Sequence, residues 1–189
     1  MQPAYPMQPG PPFQPAYPMQ PGPPFQPAPF GQRPSAGGNP VGAVLLAFFV
    51  SVVVSLLYSG LLLATYQDLS ATTANVLYLA HALLNGAIVG ALVGSMGHRS
   101  NGARIGGAIV AALGAFFGYA NALPLIYAVK QSPTALTDLL KAEPFFPAKA
   151  WWNDELHGGV DWFAPLGLVV AAATAWGIAY LIGNKRHQA

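Results

Sequence analysis

The sequence predicts an all-α integral membrane protein: a four-helix transmembrane bundle with a disordered, Pro-rich N-terminal tail. Three observations lead there. Of 189 residues, 53% are hydrophobic and only 7% charged, against about 25% charged in an ordinary soluble domain. Four stretches with no charge in their interior each exceed the roughly 20 residues that cross a bilayer core. Finally, 14 of the 19 prolines fall between Pro3 and Pro40, a segment too poor in periodic apolar residues to build a core.

The tail, residues 1–40, has Arg33 as its single charged side chain and a perfect internal repeat. Pro-Ala-Tyr-Pro-Met-Gln-Pro-Gly-Pro-Pro-Phe-Gln occupies 3–14 and again 15–26. Proline recurs at every third position from Pro3 to Pro27, which matches the three residues per turn of a polyproline II helix. One edge of that helix would be all proline, with Tyr5 and Tyr17 on a second edge and Phe13 and Phe25 on a third. Two readings follow. The tail is a ligand for aromatic-lined grooves of a cytosolic polyproline-binding partner, or it is a repeat-expanded spacer.

The first span is expected over 41–65, the others over 74–97, 105–129 and 160–183, with Asp161 at the edge of the last. Backbone polar groups in lipid must be satisfied within the segment, so each is read as a helix despite many β-branched residues. A cleavable signal peptide does not fit, because the first apolar segment starts only after Pro40 and is about twice the length of a signal core.

An even number of spans puts both termini on one side. Arg33, Arg99, Arg104, Lys185 and Arg186 share that side with no acid, while Lys130, Lys141 and Lys149 share the other with all six acids. The positive-inside rule then makes both termini cytoplasmic in a cell membrane and turns the loop 130–159 outward. In that loop, Ser132 and Pro133 start a short amphipathic helix with Leu136, Leu139 and Leu140 on its apolar face. Pro144 to Pro147 end it, and Trp151 and Trp152 are expected at the headgroups.

Helix faces suggest the packing. Gly86, Gly90 and Gly94 form a small-residue stripe on the second span, and Gly107, Gly114 and Gly118 one on the third. The short connection between these spans predicts a tight hairpin in which the two stripes face each other, Gly94 level with Gly107. The alternative is that one stripe makes a homo-oligomer. His81 and Asn85 lie well over 100° around the second helix from the stripe, so they are expected to face the first or fourth span. Depth matching joins them to Ser55 and Tyr58 in an intramembrane polar cluster. Asn121 is placed on the small face of the third span, three residues before Pro124.

This cluster reads either as a relay or ligand site of a small permease or channel subunit, or as interhelical hydrogen bonding that fixes orientation. No span interior holds Asp, Glu, Lys or Arg, which favours the second. Catalytic groups are scarce. The absence of cysteine excludes disulfides, thiolate metal sites and thiol nucleophiles. Asp154, Glu155, His157 and Asp161 cluster without a metal-ligand spacing, and Ser95 stands one position too early for the glycine motif of intramembrane serine proteases. Phosphate loops and dinucleotide fingerprints are missing. No enzyme, metal or cofactor is expected, and a net charge of +2 with dispersed basic residues suggests no nucleic acid. The expected partners are the lipid bilayer, a polyproline-binding protein and, alternatively, a second copy of the chain. The leading functional expectation is a membrane anchor or interaction protein.

Overall fold

The computed structural model describes residues 38–97, 100–153 and 159–185, with Lys185 described by its backbone alone. The chain parts into the units Met1–Pro34 and Ser35–Ala189, and all described residues belong to the second. The tail repeats, Arg33, Arg99, Arg186 and the Asp154, Glu155 and His157 cluster lie outside the described residues.

Among the described residues six helices follow in order: α1 Pro40–Thr65, α2 Ala71–Met96, α3 Asn101–Lys130, α4 Pro133–Ala142, α5 Phe146–Trp152 and α6 Phe163–Lys185. There is no strand among the described residues, only an isolated antiparallel bridge between Asn153 and Val160. Helices α1, α2, α3 and α6 are long and apolar enough to cross a membrane. The described chain is therefore all-helical, with four apolar helices as in a multi-pass membrane protein.

Local chemistry sets the helix starts. Asn39 caps α1 by accepting from the Gly42 amide at 2.8 Å, with Pro40 at the first helical position, where no amide is needed. Ser70 caps α2 on the Thr73 amide, Ser100 caps α3 on Ala103, and Ser132 caps α4 on Ala135. Asp161 caps the start of α6, its Oδ1 accepting from the Phe163 amide at 2.9 Å. Helix α3 runs through Pro124 without interruption.

We call the end of the bundle bearing the start of α1 and the α2–α3 connection the tail end, and the opposite end the loop end. Four helices alternating in direction make α1 parallel to α3 and α2 parallel to α6. These parallel pairs are the tightest, and their registers are constant. Ser51, Ser55 and Ser59 face Val110, Gly114 and Gly118, each partner standing at the same offset along the chain. Gly86, Gly90 and Gly94 face Ala171, Ala175 and Ala179, again at one unchanging offset.

The second register corrects the expected hairpin. A Cβ on Gly86 would lie 2.5 Å from the Ala171 carbonyl oxygen, and one on Gly90 2.6 Å from that of Ala175. The α2 glycines therefore meet α6 and not α3. Their complement is a stripe at four-residue spacing on α6, Gly167, Ala171, Ala175, Ala179 and Gly183, all buried. The matching of depth with α3 holds, since Gly107 sits against Val93, next to Gly94 in the chain. It is the face that differs.

At the loop end, α4 lies with Ala135, Leu136, Leu139 and Leu140 half-buried and Asp138 and Lys141 exposed. Helix α5 follows where only a helix stop was expected. It carries Trp151 into the protein, 7% exposed, with its ring 5.1 Å from Phe116 and its Nε1 donating to the Tyr78 hydroxyl at 3.4 Å. Trp152 stays exposed.

Substituting Gly90→Val should lower stability by about 1–3 kcal/mol through overpacking against α6. Gly60→Ala and Gly177→Ala, where an added Cβ meets nothing within 4 Å, should leave stability unchanged or raise it by up to about 1 kcal/mol. Reversible denaturant unfolding in mixed micelles measures both; equal losses at Gly90 and Gly60 would contradict the α2/α6 seam.

Candidate functional site

The polar residues of the spans converge where α1, α2 and α3 meet. Ser51, Ser55 and Ser59 stand one turn apart on α1 and are at most 3% exposed. The Ser55 hydroxyl lies 2.8 Å from the Gly114 carbonyl and 2.7 Å from its own Ser51 carbonyl. Ser59 repeats this, 2.6 Å from Gly118 O and 3.0 Å from Ser55 O. Ser51 makes a longer contact, 3.5 Å to Val110 O. Each hydroxyl has one proton to share between the two helices, so the serines form a ladder that fixes the α1/α3 register turn by turn.

From α2, Asn85 is fully buried and donates its Nδ2 to the Ala111 carbonyl at 3.0 Å. His81, 5% exposed, points Nε2 at the Gly114 carbonyl at 3.5 Å. Since a carbonyl only accepts, this contact requires the proton on Nε2. The imidazole stacks flat on Tyr58, centroids 4.2 Å apart and planes 5° apart.

The structure thus brings Ser55, Tyr58, His81 and Asn85 together and adds Ser51 and Ser59. It also corrects the direction: His81 and Asn85 reach α3 as well as α1, and α6 is not involved. The α3 glycines explain why. A Cβ on Gly114 would collide with Ser51 Oγ and Asn85 Nδ2, and one on Gly118 would lie 2.5 Å from His81 Nε2. These glycines admit polar side chains to the α3 backbone and do not receive the α2 glycines.

Two groups remain over. The Tyr58 hydroxyl and Asn85 Oδ1 are buried with no hydrogen-bond partner. Beside the cluster, a cavity of about 220 Å³ opens between α1 and α3. Ser55 and Gly114 belong to its wall, as do Phe48, Leu56 and Phe117, and Asn121 is there too. Asn121 is exposed at this wall, which corrects its expected place on the small face of α3.

Toward the loop end, aromatic hydroxyls continue the polar line. Tyr78, 3% exposed, donates to the Ala164 carbonyl at 3.0 Å and stacks edge-on with Tyr119 at 5.4 Å. Gly167 leaves room for the Tyr78 ring, which a Cβ there would strike. At the tail end, Arg104 is 6% exposed in the first turn of α3. Among the described residues no group of three or more His, Asp or Glu is placed to hold a metal ion. Asp161 of the sequence cluster serves the α6 cap.

Sequence reasoning missed the serine ladder, although Ala43, Ala47, Ser51, Ser55 and Ser59 recur every four residues and could have disclosed it. Trp151 carries no such signal, because its burial depends on α5. Comparison of the chain with protein-family models, with curated proteins and with solved structures finds no match, so any chemistry must be read from these residues.

Each of Ser55→Ala and Ser59→Ala should cost about 0.6–1 kcal/mol, the usual worth of an interhelical side-chain bond in a membrane protein. Double substitution should cost about the sum, read as the shift in unfolding free energy in mixed micelles. Unchanged stability in both single variants would mean that the hydroxyls serve only their own helix.

Proposed function

We propose that this chain is a multi-pass protein of the cell membrane, with both termini cytoplasmic, that anchors its Pro-rich tail and displays it to cytosolic partners having aromatic-lined grooves. The observation that carries this reading is the threefold proline register of residues 3–27 across two identical repeats. A preformed polyproline II segment loses little entropy on docking, and duplicated epitopes raise avidity by effective concentration. The bundle supports it from below: its serines, His81 and Asn85 are directed at backbone carbonyls of neighbouring helices, as suits a fixed anchor. The reading assigns no enzymatic activity and no cofactor. The orientation rests on the excess of Arg and Lys on the tail side.

Deleting residues 1–32 should abolish co-purification of cytosolic partners while leaving membrane insertion intact, and unchanged partners would refute the display role. Reporters fused at the C-terminus and after Lys141 should read cytoplasmic and external respectively; the reverse result would turn the tail away from the cytosol.

A second reading, a small permease or channel subunit, is favoured by the unpartnered Tyr58 hydroxyl and Asn85 Oδ1 and by the cavity beside Ser55. It predicts that His81→Leu removes solute flux in reconstituted vesicles at unchanged folded yield. A variant that loses yield alone would favour the anchor.

A further inference from the structure

The charge of the buried Arg104 meets no carboxylate among the described side chains. A guanidinium stays charged and carries five N–H donors in a rigid fork, and an unpaired charge removed from water is strongly disfavoured. Here its Nη1 meets Asn101 Oδ1 and its Nη2 meets Asn184 Oδ1, each at 3.4 Å. Both are neutral oxygens, and both lie beyond the roughly 2.7–2.9 Å of a charge-assisted bond. The Tyr180 ring lies 5.0 Å from the guanidinium carbon. Nε is buried with no partner.

An anion is missing from this set, and the sequence places no acidic side chain nearby. No Asp or Glu occurs in residues 1–67, 69–137 or 162–189. The described carboxylates, Asp68, Asp138, Glu143 and Asp161, all belong to loop-end segments, at the opposite end of α3 from Arg104. Asp154 and Glu155 fall in the same α5–α6 connection as Asp161. No described residue supplies the counter-charge, and an anion from outside the chain would complete the site.

We infer that Arg104 is the floor of a phosphate-binding site between the start of α3 and the end of α6, filled by the headgroup of an anionic membrane lipid. Four features agree on this chemistry. The guanidinium fork matches two phosphate oxygens. The site lies at a helix end of a spanning bundle, the depth at which headgroups lie. Ser100 takes the Ala103 amide, which leaves the Asn101 and Gly102 amides of the first turn without an acceptor inside the helix, at its positive end. Lys185 ends α6 at this same end, and basic residues beside a span are drawn to anionic leaflets. The flank is open toward lipid, since Tyr180 is 49% and Leu181 58% exposed. Inorganic phosphate offers the same oxygens, so the test separates the two sources.

The full chain in detergent micelles is mixed with phosphatidylglycerol, with diacylglycerol or with inorganic phosphate, and retained ligand is read by native mass spectrometry. Wild type should keep one phosphatidylglycerol and no diacylglycerol. Arg104→Gln should keep about tenfold less, and Arg104→Lys, which retains charge without the fork, an intermediate amount. Displacement of the lipid by millimolar phosphate would keep the site and identify free phosphate as the ligand. Equal retention of diacylglycerol, equal retention by Arg104→Gln, or no retention by wild type would each overturn the inference. The wild-type comparison of the two lipids and the Lys variant decide the matter even where the Gln variant does not fold.

Discussion

Close approach of backbones along two parallel helix pairs is the constraint on which the rest of the bundle depends. Inside a bilayer no hydrophobic gain accompanies helix association, because lipid tails are as apolar as leucine, so packing contacts and interhelical hydrogen bonds must hold the helices together. Both require small residues. The α2/α6 seam is built from Gly86, Gly90 and Gly94 against Ala171, Ala175 and Ala179, and a methyl group on any of the glycines would come within 3.0 Å of α6 backbone. The α1/α3 seam uses serine against glycine and adds hydroxyl bonds to the same geometry. This division gives five of the 21 glycines their purpose, Gly86, Gly90 and Gly94 in one seam and Gly114 and Gly118 in the other.

The two seams dictate where polar groups can lie. A helical carbonyl already accepts one backbone bond, and its second lone pair can receive a side-chain donor only where nothing covers it. Gly114 and Gly118 leave such openings, which the Ser55 and Ser59 hydroxyls fill at 2.8 and 2.6 Å, while His81 Nε2 stays at a longer 3.5 Å from the Gly114 oxygen. Asn85 uses the carbonyl of Ala111 in the turn before. The cluster is therefore a product of the α3 glycines as much as of its own side chains. Its stacking of Tyr58 on His81 holds α1 against α2, a contact that neither seam provides.

Legibility in the sequence follows the range of the interaction. Spans are readable because hydropathy and length act within one segment, and observed bounds such as Pro40–Thr65 depart from expectation only near the caps. The amphipathic α4 is readable from Ser132, Pro133 and its leucine spacing. Depth is readable too, since rise per residue is constant and turns are short, which is why Tyr58 and His81 can be matched in level. Facing is not. Two small stripes on consecutive helices suggest each other, yet Gly86 to Gly94 prefer the in-register alanines of α6, the span most distant from them in chain order after α2. Nothing in the α2 sequence distinguishes one small-residue partner from another; the choice emerges from packing all four helices together. Burial of Trp151 is of the same kind, because it depends on α5 delivering the ring between Phe116 and Tyr78.

The seams also bear on what the tail can do. Under the proposed display role, a tethered segment gains from attachment when its point of origin is held, because effective concentration depends on that point and the chain's reach. The Asn39 amide donates to the Met96 carbonyl at 3.0 Å, and the Asn39 side chain caps α1. One residue thus ties the start of α1 to the end of α2. Ala43, 0% exposed, continues the contact into the first turn of α1, its Cβ lying 3.6 Å from where a Cβ on Gly97 would stand. The chain before Asn39 consequently departs from a fixed site on the bundle, at the same end where Arg104 is buried without an acidic side chain beside it. An anchor held both by its seams and by the inferred lipid at that end would keep Asn39 at a constant depth in the membrane, which would serve the display role proposed above.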